Sequence, residues 1–94
     1  MTQYRALNLE LKNKTVLVTG SYRGTGQIIA EYFASEGARV FFHSLEEPAE
    51  DLSVNGTTIW GDITTDSGAD QVFQQVGVKA DCLDILVNNY GKAP

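Results

Sequence analysis

Ninety-four residues, 43% apolar and 20% charged, suit one small globular domain near the lower end of the usual range. A formal net charge of −5 argues against a duplex nucleic-acid binder, which needs clustered Lys and Arg to displace counterions, but not against an anion held by backbone N–H groups at a helix N-terminus. One cysteine, Cys82, excludes an intrachain disulfide and fits a reducing cytoplasm.

The chain opens MTQYRALNLELKNK, a polar start without a signal-peptide core, and no apolar run approaches the ~20 residues of a membrane helix. Residues 1–13 read as a leader in which Leu7, Leu9 and Leu11 alternate as in a short extended segment. Thr15 to Thr19 is a β-branched and aliphatic run of the kind that forms a strand buried on both faces. From Gly24 to Glu36 the period becomes helical, with Ile29, Ala30, Phe33 and Ala34 on one side, and Gly37 is placed to end the helix in a left-handed conformation. Arg39 to His43 is the second strand. The acidic stretch from Glu46 to Asp51 reads as a short helix or a solvated loop. Thr57 to Trp60 is the third strand. Thr65, Asp66 or Ser67 can cap a second helix carrying Ala69, Val72, Phe73 and Val76 on its apolar face, with Gly77 either inside it or at its end. Leu83 to Val87 is the fourth strand. This alternation predicts an α/β fold: a Rossmann-type, doubly wound parallel sheet of about four strands with helices on both faces, covering residues 1–94 as one incomplete unit.

The chemistry concentrates in Gly20-Ser21-Tyr22-Arg23-Gly24-Thr25-Gly26, between the first strand and the first helix. Gly20 can take the positive φ of a tight turn. Gly24 and Gly26 lack a Cβ, so a pyrophosphate can approach the backbone and the helix can pack close to the sheet. The spacing is neither G-x-G-x-x-G nor that of the P-loop. A purely structural turn is the competing reading, and the strand before and helix after favour the functional one.

Three segments carry a resemblance to the short-chain dehydrogenase/reductase family. Thr19-Gly20-Ser21-Tyr22-Arg23-Gly24-Thr25-Gly26 resembles its T-G-x-x-x-G-x-G cofactor loop, Gly61-Asp62-Ile63-Thr64 its segment after strand three, and Asp84-Ile85-Leu86-Val87-Asn88-Asn89-Tyr90-Gly91 its D-x-L-V-N-N-A-G motif. The resemblance implies hydride transfer between NAD(P) and a small-molecule carbonyl or alcohol substrate. It implies that Gly20, Ser21, Tyr22, Arg23, Gly24, Thr25 and Gly26 line the phosphate and ribose end of the cofactor. Asp62 and Ile63 would meet the adenine, and Asn89, Tyr90 and Gly91 would border the ribose groups, with Asn88 bracing the sheet. Ser44 stands where NAD-preferring relatives carry an acidic residue at the end of strand two, so NADP is expected ahead of NAD.

The sequence departs from the family pattern at Tyr90, where Ala is usual, and at Thr25, where an aliphatic residue is usual. The family's catalytic Ser and Tyr-x-x-x-Lys belong after the fourth strand, and none of Tyr4, Tyr22, Tyr32 and Tyr90 is followed by Lys four positions on. The 94-residue chain is therefore expected to be a cofactor-binding fragment without catalytic residues, cytoplasmic, and associated with itself or with the missing half. A non-catalytic nucleotide-binding module and a truncated remnant are the alternatives. Simpler roles stand beside the functional ones: Arg23 as a solvated loop cation, Asp62 as a turn or cap residue, Tyr90 as a packing ring, Cys82 as an inert packing residue, and His43 as a satisfied or solvated histidine. No metal site is expected, because the Glu46, Glu47, Glu50 and Asp51 carboxylates have no His or Cys partner.

Overall fold

A computed structural model describes residues 11–22, 24–49 and 56–89. Arg23, Glu50, Asp51, Tyr90, Gly91 and the leader before Leu11 lie outside the described residues. In chain order the elements are β1 (Thr15–Val18), α1 (Gly24–Ser35), β2 (Arg39–Ser44), β3 (Gly56–Trp60), α2 (Asp66–Lys79) and β4 (Ile85–Val87). All strand pairs are parallel, in the order β3-β2-β1-β4. This is the expected Rossmann-type arrangement.

The period-two alternation of the strands sorts the core into two layers. Val16 and Val18 of β1, with Val40 and Phe42 of β2, meet Ala30, Ile29 and Phe33 of α1. Leu17 and Phe41 point the other way and join Ile59, Val72 and Val76. Each helix thus covers one face, and β1 is buried along its whole length, as parallel sheets require.

Local signals account for the helix ends. At the end of α1, Gly37 adopts φ 93°; its N–H donates to Ala34 O at 3.0 Å and the Ala38 N–H to Phe33 O at 3.1 Å. That pair of bonds is the Schellman closure. Thr65 is the N-cap of α2, its hydroxyl accepting from the Gly68 N–H at 3.0 Å, with Asp66 in the first turn and Lys79 in the last to complement the helix dipole. Gly77 lies inside α2, and a Cβ built on it meets nothing within 4 Å. Gly77→Ala should raise stability by about 0.5–1 kcal/mol through helix propensity and a less flexible unfolded chain. A urea midpoint at or below the parent's would contradict that open environment.

Three expectations are corrected. Phe73 is 42% exposed because Gly68, Val72 and Val76 form the line of α2 that meets the sheet; it lines a cleft together with Leu86 of β4, which is 50% exposed. The fourth strand starts at Ile85, not Leu83. The Asp84 carboxylate accepts the Thr15 N–H at 2.8 Å while its own N–H donates to Thr15 O at 2.9 Å, so a side chain replaces the first rung of the ladder. Cys82 is exposed rather than packed, because Leu83 is the residue of this segment that enters the core. The described part of the acidic stretch, 46–49, is irregular, not helical.

At the opposite edge, α2 protects β3. Gln75 matches both backbone groups of Trp60: its amide nitrogen donates to Trp60 O at 2.6 Å and its oxygen accepts from Trp60 N at 3.2 Å. Gln71 adds a second bond to that carbonyl at 3.1 Å. Capping the edge in this way blocks strand addition at Trp60.

Candidate cofactor site

Parallel strands bring every described candidate residue to one end of the sheet, since each follows a strand's carboxyl end. The strand order reverses between β1 and β4, and in open α/β sheets ligands bind in the crevice at that reversal. Thr19 and Asn89 tie the two sides together. The Asn89 N–H donates to Thr19 Oγ1 at 3.0 Å and the Asn89 side-chain amide to Gly20 O at 3.3 Å. Thr19 Oγ1 also lies 3.2 Å from Asn88 Oδ1, the bracing role expected of Asn88.

The loop between β1 and α1 turns on Gly20 (φ 62°) and Gly24 (φ 67°). Gly26 is buried in the first turn of α1. A Cβ there would collide with Gly20 O and sit 2.5 Å from Asn89 Nδ2 and 2.9 Å from Ser21 Cα. Its hydrogen therefore lets the helix start press against the loop. The first turn of α1 holds no acidic side chain, so its positive dipole end is not offset from within the helix. Tyr22 is half-buried, and Gly24 and Thr25 are exposed at the helix start.

His43 and Ser21 hold this loop from behind, and both are fully buried. The Ser21 N–H donates to His43 O at 2.9 Å, and the His43 N–H donates to Ser21 Oγ at 2.8 Å. The Ser21 hydroxyl is thus committed to the fold. The His43 ring takes the Gly20 N–H on Nδ1 at 2.8 Å and places Nε2 2.8 Å from Gly61 O. An N–H donor facing Nδ1 requires the lone pair there, so the neutral ring carries its proton on Nε2 and donates to Gly61 O. Burial lowers the pKa of His43 below the ordinary 6.5, against the bond to Gly61 and the charge of Asp62, which raise it.

That shift has a signed consequence. The unfolded chain takes up the histidine proton first as pH falls, so the neutral ring's contribution is fully present above the unfolded value. It is lost as pH falls from there through the folded value, with a limiting slope of about 1.4 kcal/mol per pH unit for one proton. Unfolding free energies between pH 8 and pH 5 should fall more steeply in the parent than in His43→Gln. Parallel profiles would sink the claim.

Asp62 fills the turn and cap role weighed for it. Its carboxylate accepts the Thr64 N–H at 3.0 Å and the Thr64 hydroxyl, and these bonds hold its pKa below the usual 3.8. Its carbonyl accepts the Thr65 N–H at 3.1 Å, which sets up the α2 cap. Ile63 packs against the α2-side core and, with Thr19, Thr64, Phe73, Leu86 and Asn88, lines a cleft of about 360 Å³. Ser44 is half-buried and donates to Glu46 O at 2.6 Å, fixing the turn after β2. No three His, Cys, Asp or Glu residues among the described residues stand close enough to hold a metal ion, and no described helix is long and apolar enough to cross a membrane.

Two segments that no one motif would join, Gly20–Gly26 and Gly61–Ile63, are therefore bound into one rim through His43. Sequence reading named His43 but missed this linkage. The available signal was a lone histidine at the end of a strand otherwise read as buried, where a ring with two polar nitrogens needs two partners.

A glycine-rich loop at the reversal point of a parallel sheet covered on both faces defines a Rossmann-type half-fold. The chain belongs to the short chain dehydrogenase family, whose profile matches residues 14–94. It is 39% identical over 88 residues to the rhamnolipids biosynthesis 3-oxoacyl-[acyl-carrier-protein] reductase of Pseudomonas aeruginosa, covering 86% of this chain and 34% of that protein. It is 32% identical over 88 residues to the Escherichia coli 3-oxoacyl-[acyl-carrier-protein] reductase FabG, covering 88% of this chain and 36% of that protein. Among solved structures, the RhlG/NADP active-site complex of Pseudomonas aeruginosa superposes with a TM-score of 0.80 at 36% identity, over 93% of this chain and 38% of that one. The NADH-dependent reductase A1-R′ complexed with NAD gives 0.83 at 29% identity, over 90% and 39%. The chain spans about a third of the length of the curated relatives it matches.

Proposed function

We propose that the chain binds a nicotinamide dinucleotide, NADP(H) ahead of NAD(H), within an oxidoreductase that moves hydride between that cofactor and a carbonyl or alcohol. The observation that carries the reading is the seat of Gly26: an α-helix start pressed against a positive-φ glycine loop at the sheet's reversal point. That seat presents backbone N–H groups to an anion. Gly20, Arg23, Gly24, Thr25 and Gly26 take the phosphates, Asp62 and Ile63 the adenine, and Asn89, Tyr90 and Gly91 the ribose groups. Ser21 supports the loop from inside, with Tyr22 beside it. The bound NADP and NAD named for two related structures support the class of ligand.

The preference for NADP(H) rests on Ser44, a neutral side chain where an acid would repel a 2′-phosphate, and on Arg23 as a cation; exposed Glu46 and Glu47 act against it. Calorimetric titration with both cofactors at one ionic strength tests both levels. Tighter NAD(H) binding removes the preference, and binding of neither removes the reading.

In the working enzyme a Tyr hydroxyl activated by Lys would exchange the substrate proton. The 94 residues contain no such pair, so alone they should consume no NADPH with any member of a carbonyl panel; turnover above the buffer blank would contradict this. The outer edge of β4 has no strand beside it among the described residues, and Leu86 and Phe73 are exposed there. That edge pairs with further chain or a second copy, and light scattering of the 94-residue species should show association rising with concentration. A cytoplasmic location is the matching proposal, checked by cell fractionation.

A further inference from the structure

We infer that His43 is a positioning residue that locks the glycine-rich loop to the Gly61–Asp62 turn, and that dinucleotide affinity requires its imidazole to be neutral. The inference rests on the cofactor reading above. Past the ends of β1 and β3 each outgoing segment keeps one backbone bond to β2, Ser21 N–H to His43 O at 2.9 Å and Gly61 N–H to Ser44 O at 3.1 Å. The His43 ring, on β2 between those strands, adds a side-chain bond to each and so joins them directly to one another: Gly20 N–H to Nδ1 and Nε2–H to Gly61 O, both 2.8 Å. One segment carries the phosphate residues and the other the adenine residues, so a ligand that touches both feels the distance this ring sets.

Protonation breaks the arrangement at one known atom. The cation places a hydrogen on Nδ1, facing the Gly20 N–H, so donor meets donor in a site with no exposed surface. Among the described residues Asp62, on the turn after β3, is a charged group that acts on the ring and favours the cation, while its Oδ1 accepts from the Thr64 N–H and hydroxyl. The bonds from Ser21 N–H to His43 O and from His43 N–H to Ser21 Oγ do not involve the imidazole. The loop can therefore lose its link to Gly61 while β1 and β2 stay joined, which separates positioning from folding.

Calorimetry of NADPH and NADH binding to the whole protein from pH 8 to pH 5.5, with His43→Asn and His43→Leu, tests this. In the parent, affinity should stay level down through the ordinary histidine value, below which burial holds the folded ring's pKa, and then fall toward tenfold per pH unit, roughly, as the ring takes its proton. His43→Asn has a non-titrating oxygen able to accept the Gly20 N–H and should restore most of the pH 8 affinity. His43→Leu should lose about tenfold at pH 8. Both variants should lack the parent's additional acid loss, and cofactor phosphates titrate alike in all three proteins. Should His43→Leu fail to fold, the ¹⁵N shifts of the parent imidazole decide, with the Nε2–H form expected at pH 7.5. Parallel affinity profiles in parent and His43→Asn, or an Nδ1–H ring, would overturn the inference. Absence of any cofactor binding by the parent at pH 8 would instead remove the reading on which it stands.

Discussion

Gly26→Ala is expected to abolish measurable dinucleotide binding and to lower the unfolding free energy by about 3 kcal/mol, the upper range for forced overpacking. The atoms that a new methyl group would strike are Gly20 O, Ser21 Cα and the Asn89 side chain. Two of these are backbone, in a loop tied to β4 by Asn89 and to β2 by Ser21, so rotation of one flexible group cannot relieve the clash. Either α1 lifts from the sheet, exposing the apolar contact of Ala30 with Val16, Val18 and Phe42, or the loop shifts and the helix N-terminus loses its aim. Gly24→Ala is the informative companion. A Cβ there meets no atom within 4 Å, and its cost arises from φ 67° alone, about 1–2 kcal/mol. Denaturant titration should therefore rank Gly26→Ala below Gly24→Ala. Equal midpoints, or cofactor affinity in Gly26→Ala within a few-fold of the parent, would show that the helix start is not pressed on the loop.

The parts of this fold legible in the sequence are those written in local chemistry. A run such as Thr15 to Val18 has no polar face to show water, and it occupies the buried centre of the sheet. Gly37 announced one helix end and the run Thr65-Asp66-Ser67 another, because left-handed φ and side-chain capping each suit few residue types; among the three it is Thr65 that caps. The placement of Phe73 was not legible. Helical periodicity puts it beside Val72 and Val76, but the width of the contact stripe depends on where β4 lies, a non-local fact. The start of β4 was obscured for a related reason: Asp84 uses its carboxylate to bond a strand far away in sequence.

The site divides in the same way. The glycine loop was visible through its spacing and through the strand and helix around it. The bond from Gly20 to His43, and from His43 to Gly61, links three strand ends that only the parallel order β3-β2-β1 brings side by side. Histidine adds an ambiguity of its own, because a buried ring with two satisfied nitrogens and a solvated one have the same letter in the sequence. Ser21 shows the converse: its position in the loop suggests the cofactor, and its burial assigns the hydroxyl to the His43 backbone.

Gly68→Ala should destabilise the protein by about 3 kcal/mol or more, although alanine favours a helix over glycine by about 1 kcal/mol. The first turn of α2 rests directly on the turn after β3. A Cβ on Gly68 would overlap Asp62 O and come within 2.6 Å of Asp62 C and 2.8 Å of Asp62 N. All three are backbone atoms, and Asp62 O is already engaged by the Thr65 N–H at 3.1 Å. The contact is reciprocal, since a Cβ on Gly61 would lie 2.8 Å from Gly68 O. Relief requires α2 to tilt away, which loosens Val72 and Val76 from Leu17, Phe41 and Ile59, or requires the Asp62 turn to move. The second route displaces Asp62 and Ile63 and, through Gly61, pulls on His43; NADPH affinity should fall at least about tenfold with the loss of one aligned polar contact. Gly77→Ala, in the same helix but facing open space, changes helix propensity without this clash and should move stability the opposite way. Propensity alone would raise both urea midpoints. Opposite shifts establish the interlock of α2 with the Asp62 turn, and a Gly68→Ala midpoint at or above the parent's would refute it.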